Sequence, residues 1–265
     1  MRVAARLGYW GPAYHGYARQ PDVDTVEGDL IRALRRIRAI SDPTSARLAV
    51  ASRTDRGVSA LANVVAFDTA ISPRNLPQAT LGTMHDAWLW ASVPVQDTLN
   101  PRHARLRHYR YHFRRDLTMK GLREAAEFFE GEHDFTSFTV GRVAGPLKID
   151  KIQVRRDPLF IVADFQAERF ARGLVRRIAG AMEAYARHKL TKADLRGALQ
   201  GHRLRTPPAD PEGLFLLDVD CGLIWPPAPE RVGEVIRQRV RAATLAHRFA
   251  MEMAKHAGGN GASTP

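Results

Sequence analysis

Residues 52–60 read Ser52-Arg53-Thr54-Asp55-Arg56-Gly57-Val58-Ser59-Ala60. Apolar runs at 48–51 and 63–67 flank this charged segment and are typical of β-strands. The pattern predicts a polar loop held between two strand ends, a common position for catalytic groups. The neighbouring Arg53 and Arg56 should favour the ionised form of Asp55, which could then act as a nucleophile or a base. The alternative is a surface turn closed by ion pairs, and spacing alone favours that alternative.

The composition indicates a globular, basic protein. The chain has 265 residues, enough for one large or two medium domains, and its 45% apolar content is ordinary for a chain with a buried core. Lys and Arg total 40 against 28 Asp and Glu, which gives a formal net charge of +12. This excess favours polyanionic partners, and arginine suits phosphate groups in particular.

The same composition argues against several other classes of protein. A single cysteine, Cys221, excludes an internal disulfide and is typical of a reducing compartment. No apolar run is long enough to span a bilayer, and the first ten residues lack the apolar core of a signal peptide, so we expect a cytoplasmic protein. We expect no metal or cofactor, because no Cys, His and carboxylate cluster has ligand spacing.

Hydrophobic periodicity predicts strands and helices that recur in two comparable halves. Strands are predicted at 3–9, 48–51, 63–67, 88–93, 108–113, 149–155, 159–166 and 214–219. Helices are predicted at 25–40, 118–130, 168–188, 191–200 and 230–255, with a disordered tail from 258 to 265. Residues 1–103 and 104–225 would form the two halves, and 226–265 the C-terminal helix and tail. The pattern favours an α+β fold with helices on one side of a mostly antiparallel sheet.

The predicted helix at 168–188 would carry a row of arginines. Arg169, Arg172 and Arg176 are spaced i, i+3 and i+7, so they would share one face near the helix start, where phosphate groups are favoured. A simply solvated face is the alternative.

The segment SRTDRGVSA resembles the R-T-D-x-G-V-x-A signature of the tRNA pseudouridine synthase A (TruA) family. Four further segments match family motifs in the same order, and a fifth matches loosely. They are the opening segment 8–34, the R-x-Y-x-Y strand at 104–111, G-x-H-D-F-x-S-F at 131–138, F-x-x-x-x-V-R-x-I-x-G at 170–180 and, loosely, A-P-x-x-G-L at 208–214. Together they span residues 3 to about 221. This chain departs from the family at Trp10, Tyr17, Arg56 and Ser59, the last standing where many members have histidine.

The resemblance implies both the fold and the activity. It implies a pseudouridine synthase fold, in which two ferredoxin-like halves share a mostly antiparallel central sheet with flanking helices and an RNA-binding cleft, usually in a homodimer. The implied activity is isomerisation of uridine to pseudouridine at positions 38 to 40 of the tRNA anticodon stem-loop, with no cofactor.

The resemblance also assigns roles to single residues. Asp55 would be the nucleophile, Arg176 its ion-pair partner, and Tyr109 the ring that packs on the target base. Without the resemblance, Tyr109 would be read as a sheet-core residue. The arginines expected to contact the RNA are Arg53, Arg56, Arg169 and Arg172.

Three alternatives stay open at this point. Asp55 could attack C6 of the base, attack C1′ of the sugar, or act as a base toward the sugar. The protein could be a synthase of the same family with other targets. It could also be an RNA-binding protein or tRNA chaperone whose catalytic loop is vestigial.

Overall fold

The computed structural model describes residues 1–141 and 145–258, apart from some side chains near the end of the last helix. Of the predicted tail 258–265, Gly258 belongs to the last helix and residues 259–265 lie outside the described residues. The predicted α+β class is confirmed, with a central eight-stranded sheet that is mostly antiparallel. Its strands are β1 (Arg2–Tyr9), β2 (Ala49–Val50), β3 (Ser59–Asp68), β4 (Ala87–Pro94), β5 (Leu106–Phe113), β8 (Lys151–Arg156), β9 (Ile161–Ala167) and β10 (Leu214–Asp220). A separate hairpin pairs β6 (Gly131–His133) with β7 (Leu147–Ile149).

The first half of the sheet has the strand order β4-β1-β3-β2, and every neighbouring pair is antiparallel. Between β1 and β2 runs helix α1 (Val26–Arg36), and α2 (Leu76–Ala79) precedes β4. Thr25 caps α1 as predicted, because its side chain accepts a hydrogen bond from the Gly28 amide. The helix ends earlier than the predicted residue 40, since Arg38 adopts a left-handed φ of 57°.

The second half repeats this arrangement with the order β10-β5-β9-β8, again with antiparallel neighbours. Its helices are α3 (Met119–Glu127), α4 (Leu174–Ala186) and α5 (Lys192–Ala198). Helix α3 packs on α4 and on β8, and α4 packs on β5. The predicted two ferredoxin-like halves within one sheet are therefore present.

Strands of the two halves pair along one short seam. Strand β10 pairs with β3 in parallel through only two residue pairs, Phe215 with Ser59 and Leu216 with Ala60. The seam lies immediately after the loop that carries Asp55, so this loop is fixed against the second half of the molecule.

The last helix, α6 (Glu230–Gly258), has the predicted bounds to within a few residues but packs less than a core helix would. Of its predicted apolar set, Val232 is buried whereas Val240 and Phe249 are exposed. Near its first third, Arg239 forms an ion pair with Asp86 at 3.0 Å. None of the described helices is long and apolar enough to cross a membrane.

Candidate active site

A cleft of about 1360 Å³ lies where the two halves meet. Four segments form most of its lining: the N-terminal loop 12–20, the loop 50–58 with Asp55, the segment 169–176, and the turn 211–214 that leads into β10. Single residues complete it, namely Arg102, Arg107, Tyr109 and Val140. All the residues named from the sequence as catalytic or RNA-binding line this one cleft, namely Arg53, Asp55, Arg56, Tyr109, Arg169, Arg172 and Arg176. The sequence motifs therefore converge in space.

The loop that carries Asp55 is held by close backbone contacts. Gly57 has a φ of 83°, which lets the chain turn directly after Asp55. Gly11 lies so close that a Cβ there would be 2.3 Å from the Val58 carbonyl carbon, and no larger residue fits. The Thr54 hydroxyl shares a 2.9 Å hydrogen bond with the buried phenol of Tyr9. These contacts leave Asp55 in one position at the cleft wall.

Asp55 takes its ion-pair partners from the second half of the molecule. Nη1 of Arg176 donates to Oδ2 of Asp55 at 3.2 Å, and Nε of Arg172 lies 3.9 Å from Oδ1. The Arg176 side chain is only 18% exposed, whereas that of Arg172 is 76% exposed. Arg176 is held in turn because its Nε donates to the Ala209 carbonyl at 2.9 Å. The arginines beside Asp55 in sequence, Arg53 and Arg56, are exposed, and its ion pairs among the described residues are with Arg172 and Arg176 instead.

The predicted row of arginines on one helix face is wrong. Helix α4 begins at Leu174, because Gly173 has a φ of 75° and interrupts the helical conformation. Arg169 and Arg172 therefore lie on a loop ahead of the helix, and only Arg176 lies on the helix itself. The three still border one cleft, but the loop, not helical spacing, brings them together.

Two aromatic rings form part of the cleft lining. Tyr109 is 7% exposed, and its ring lies 5.2 Å from that of Phe170 at an interplanar angle of 85°. The pKa of the Tyr109 phenol is raised, because the effect of burial outweighs the lowering by Ser52 and by the Arg107 charge. Phe170 was expected on the buried face of a helix. It lies instead on the loop before α4, half-buried at the cleft.

Arg107 is a cleft residue that sequence reasoning missed. Its buried guanidinium has no carboxylate partner among the described residues and donates instead to several oxygens around the cleft: Ser52 Oγ at 3.1 Å, Ala51 O and Arg102 O at 2.9 Å, and Glu168 O. Burial lowers its pKa. A signal was available, because Arg107 shares the inward face of β5 with Tyr109 and Tyr111.

The cleft as a whole is basic, aromatic and open on one side. Its exposed guanidinium groups suit the phosphates of a nucleic acid, and its rings suit a base. Within residues 1–141 and 145–258, no three His, Cys, Asp or Glu side chains lie together as a metal site would require.

Similarity to known proteins shows which family the chain belongs to. The family model described as tRNA pseudouridine synthase matches residues 125–220. Proteins named tRNA pseudouridine synthase A from Pyrococcus abyssi and Thermococcus onnurineus are 34% and 36% identical to this chain, over 92% and 83% of it and 97% and 85% of their own lengths. The chain belongs to the tRNA pseudouridine synthase A family. Among solved structures, a Cbf5-Nop10-Gar1 complex aligns with a TM-score of 0.34 and 14% identity, over 67% of this chain and 44% of that chain.

Three of the four departures from the tRNA pseudouridine synthase A pattern have defined contacts in the structure. Ser59, at the usual histidine position, accepts a hydrogen bond from the Gly11 amide at 2.9 Å and so joins the N-terminal loop to the Asp55 loop. Tyr17 is buried and borders the cleft beside Tyr9. Trp10 is half exposed and packs edge-on against Phe215, away from the cleft lining.

Proposed function

We propose that this protein converts uridine to pseudouridine in the anticodon stem-loop of tRNA, at positions 38 to 40. The observation that carries the proposal is the Asp55–Arg176 pair, which joins the two halves inside a basic cleft. In a member of this family, the pair fixes the Asp55 carboxylate at the place in the cleft where a nucleotide can bind.

The reaction breaks the N1–C1′ glycosidic bond, turns the uracil and joins C5 to C1′. A stacked uridine must first leave its stem, which costs a few kcal/mol. Tyr109 and Phe170 can partly repay that cost by stacking, at about 1–3 kcal/mol per base. Asp55 then acts on the exposed nucleotide, and Arg176 holds the carboxylate in its reactive orientation. Attack at C6, attack at C1′ and proton abstraction from the sugar all remain compatible with this placement.

The arginines around the cleft mouth would position the RNA rather than react with it. Arg53, Arg56 and Arg169 are exposed and line the cleft. Arg172 is exposed as well, with one long ion pair to Asp55. Each can contact a phosphate, which would make tRNA affinity strongly dependent on salt.

Pseudouridine mapping on unmodified tRNA transcripts tests the proposal. Asp55→Asn preserves the shape of the side chain but removes its charge, so we expect no pseudouridine with RNA binding retained. Asp22→Asn is the matched control. Asp22 is exposed, lies outside the cleft lining, and has a φ of 58° that asparagine tolerates.

Each outcome has a distinct meaning. Pseudouridine in the anticodon arm with wild-type and Asp22→Asn protein, but not with Asp55→Asn, supports the proposal. Pseudouridine at other positions of the tRNA would support the proposed reaction but with a different target uridine. Tight tRNA binding without any pseudouridine would favour a tRNA chaperone instead.

We also propose a cytoplasmic homodimer, on the strength of the family resemblance. Light scattering on the purified protein should give twice the chain mass of 29.6 kDa. A single-chain mass at micromolar concentration would contradict the dimer without affecting the proposed chemistry.

A further inference from the structure

A second basic surface lies beside the catalytic cleft, on the segment 201–209 between α5 and β10. Both ends of this segment are fixed. At one end, Oγ of Ser137 donates to the His202 carbonyl at 2.7 Å. At the other end, the Ala209 amide donates to the Arg176 carbonyl at 2.8 Å, and Gly180 of α4 is so close that a Cβ would be 2.3 Å from the Pro207 oxygen. The middle of the segment is therefore held against the second half of the molecule.

The middle of the segment presents its charges outward. Leu204 is half-buried and packs against the core, whereas its neighbours Arg203 and Arg205 are exposed. Arg177, on the first turn of α4, borders the same depression of about 480 Å³. None of these three arginines has an ion-pair partner in the part of the chain that the structure describes. We call this depression the arginine groove, lined by Arg177, Arg203 and Arg205 with Thr136, Ser137 and Thr206.

The G-x-H-D-F-x-S-F motif at 131–138 helps to build this groove. Its phenylalanines, Phe135 and Phe138, are buried, and its hydroxyl residues Thr136 and Ser137 border the groove. Asp134 is the nearby carboxylate. Its Oδ1 accepts hydrogen bonds from both the amide and the hydroxyl of Thr136, so it is engaged within the motif. Three guanidinium groups and one engaged carboxylate leave the groove with a net positive charge.

We propose that the arginine groove binds backbone phosphates of the same tRNA whose uridine enters the catalytic cleft. This inference rests on the proposed function. The two sites are linked through α4, because Arg176 lines the cleft and the next residue, Arg177, lines the groove. The groove is shallow and bordered by guanidinium and hydroxyl groups, a combination that recognises phosphodiesters without reading bases. It would thus fix the register of the RNA strand relative to Asp55.

The test compares two triple variants in the inactive Asp55→Asn background. One is Arg177→Gln/Arg203→Gln/Arg205→Gln. The matched control, Arg36→Gln/Arg74→Gln/Arg156→Gln, removes the same charge from three exposed arginines that lie away from both sites. Affinity for a tRNA transcript is measured across a series of salt concentrations, and thermal melting confirms that both variants fold.

We expect the groove variant to bind at least about tenfold more weakly, with a salt slope reduced by about 0.7–0.9 for each phosphate that is no longer neutralised. The control should stay within about threefold of its parent. Phosphate-ethylation interference should show positions on the tRNA where ethylation weakens binding to the parent but not to the groove variant. Equal losses of affinity in the two variants, or unchanged interference positions, would overturn the proposal.

These measurements separate the two proposals, since binding by the Asp55→Asn protein does not depend on turnover. If wild-type protein forms no pseudouridine, the proposed function fails. The affinities of the two triple variants for tRNA still test whether the arginine groove binds RNA. If pseudouridine forms and the groove variant binds like its parent, only the groove assignment fails.

Discussion

Replacing Arg176 with glutamine removes the side chain that joins the two halves of the cleft. In the wild-type protein its guanidinium donates to Asp55 at 3.2 Å and to the Ala209 carbonyl at 2.9 Å. The side chain is mostly buried, so solvent screens the pair only weakly. Hydrogen bonds to charged groups contribute about 1.5–3 kcal/mol. If that orientation is needed in the transition state, the rate should fall about 10- to 160-fold.

Two further variants make this prediction specific. Arg176→Lys keeps the charge, but one ammonium cannot reproduce the planar fork that serves both Asp55 and Ala209, so its rate should be intermediate. Arg172→Gln is the control, because the pair from Arg172 to Asp55 is longer, at 3.9 Å, and the side chain is 76% exposed. Exposed pairs contribute about 0.2–1 kcal/mol, which corresponds to less than about sixfold.

The assay is the single-turnover rate of pseudouridine formation with protein in saturating excess over tRNA. This condition separates the chemical step from RNA binding, which Arg172→Gln is expected to weaken. Equal rates for wild type and Arg176→Gln would refute the positioning of Asp55 by Arg176. Equal rate reductions for Arg176→Gln and Arg172→Gln would refute the argument that burial distinguishes the two pairs.

Three other predictions concern the buried ring of Tyr109, the thiol of Cys221 and the buried carboxylate of Asp164. Tyr109→Phe should keep part of the turnover, because its ring can still stack on a base. Tyr109→Ala removes the ring, so its rate should be about 5- to 150-fold lower than that of wild type. Equal rates for the two variants would exclude the stacking role. Burial raises the pKa of Cys221 to about 11, which makes the reactive thiolate about a hundredfold scarcer at pH 8, although a more basic thiolate is also about six- to tenfold more nucleophilic. Iodoacetamide at pH 8 should therefore alkylate the folded protein about tenfold more slowly than the unfolded chain. Burial raises the pKa of Asp164, but the His108 imidazole, whose Nε2 lies 3.1 Å from the carboxylate, and hydrogen bonds from Arg110 outweigh it and hold the pKa well below its usual range. The resulting stability should be present above about pH 4 and be lost as pH falls below that. Asp164→Asn should lower the free energy of unfolding at pH 7 by about 1.5–3 kcal/mol and reduce that acid dependence in urea titrations.

The strands were predictable because their side chains alternate. In β5 the burial pattern follows the sequence alternation residue by residue, with Tyr109, Tyr111 and Phe113 inward. Capping residues likewise marked the starts of helices, as Thr25, Thr118 and Thr191 each cap the helix that follows. Both features are determined by residues that are close together in the chain, so the local sequence pattern is enough to predict them.

The ion pair of the site was not predictable from local pattern. Asp55 and Arg176 are 121 residues apart, and only the family resemblance connected them. Local reasoning selected Arg53 and Arg56 instead, because they are adjacent in sequence. The start of α4 was misplaced for a related reason: the apolar period continues through Phe170, and nothing in that period shows that Gly173 would take a left-handed conformation.

The position of β10 has a consequence for how the protein is made. Among the strands in the described part of the chain, β10 is the last to be synthesised, yet it occupies the middle of the sheet between β3 and β5. A nascent chain that ends before Leu214 therefore contains both Asp55 and Arg176 but lacks the strand that joins the two halves. We expect such ribosome-bound chains to be inactive toward RNA, so that modification starts only after β10 has been made and has paired with β3 and β5.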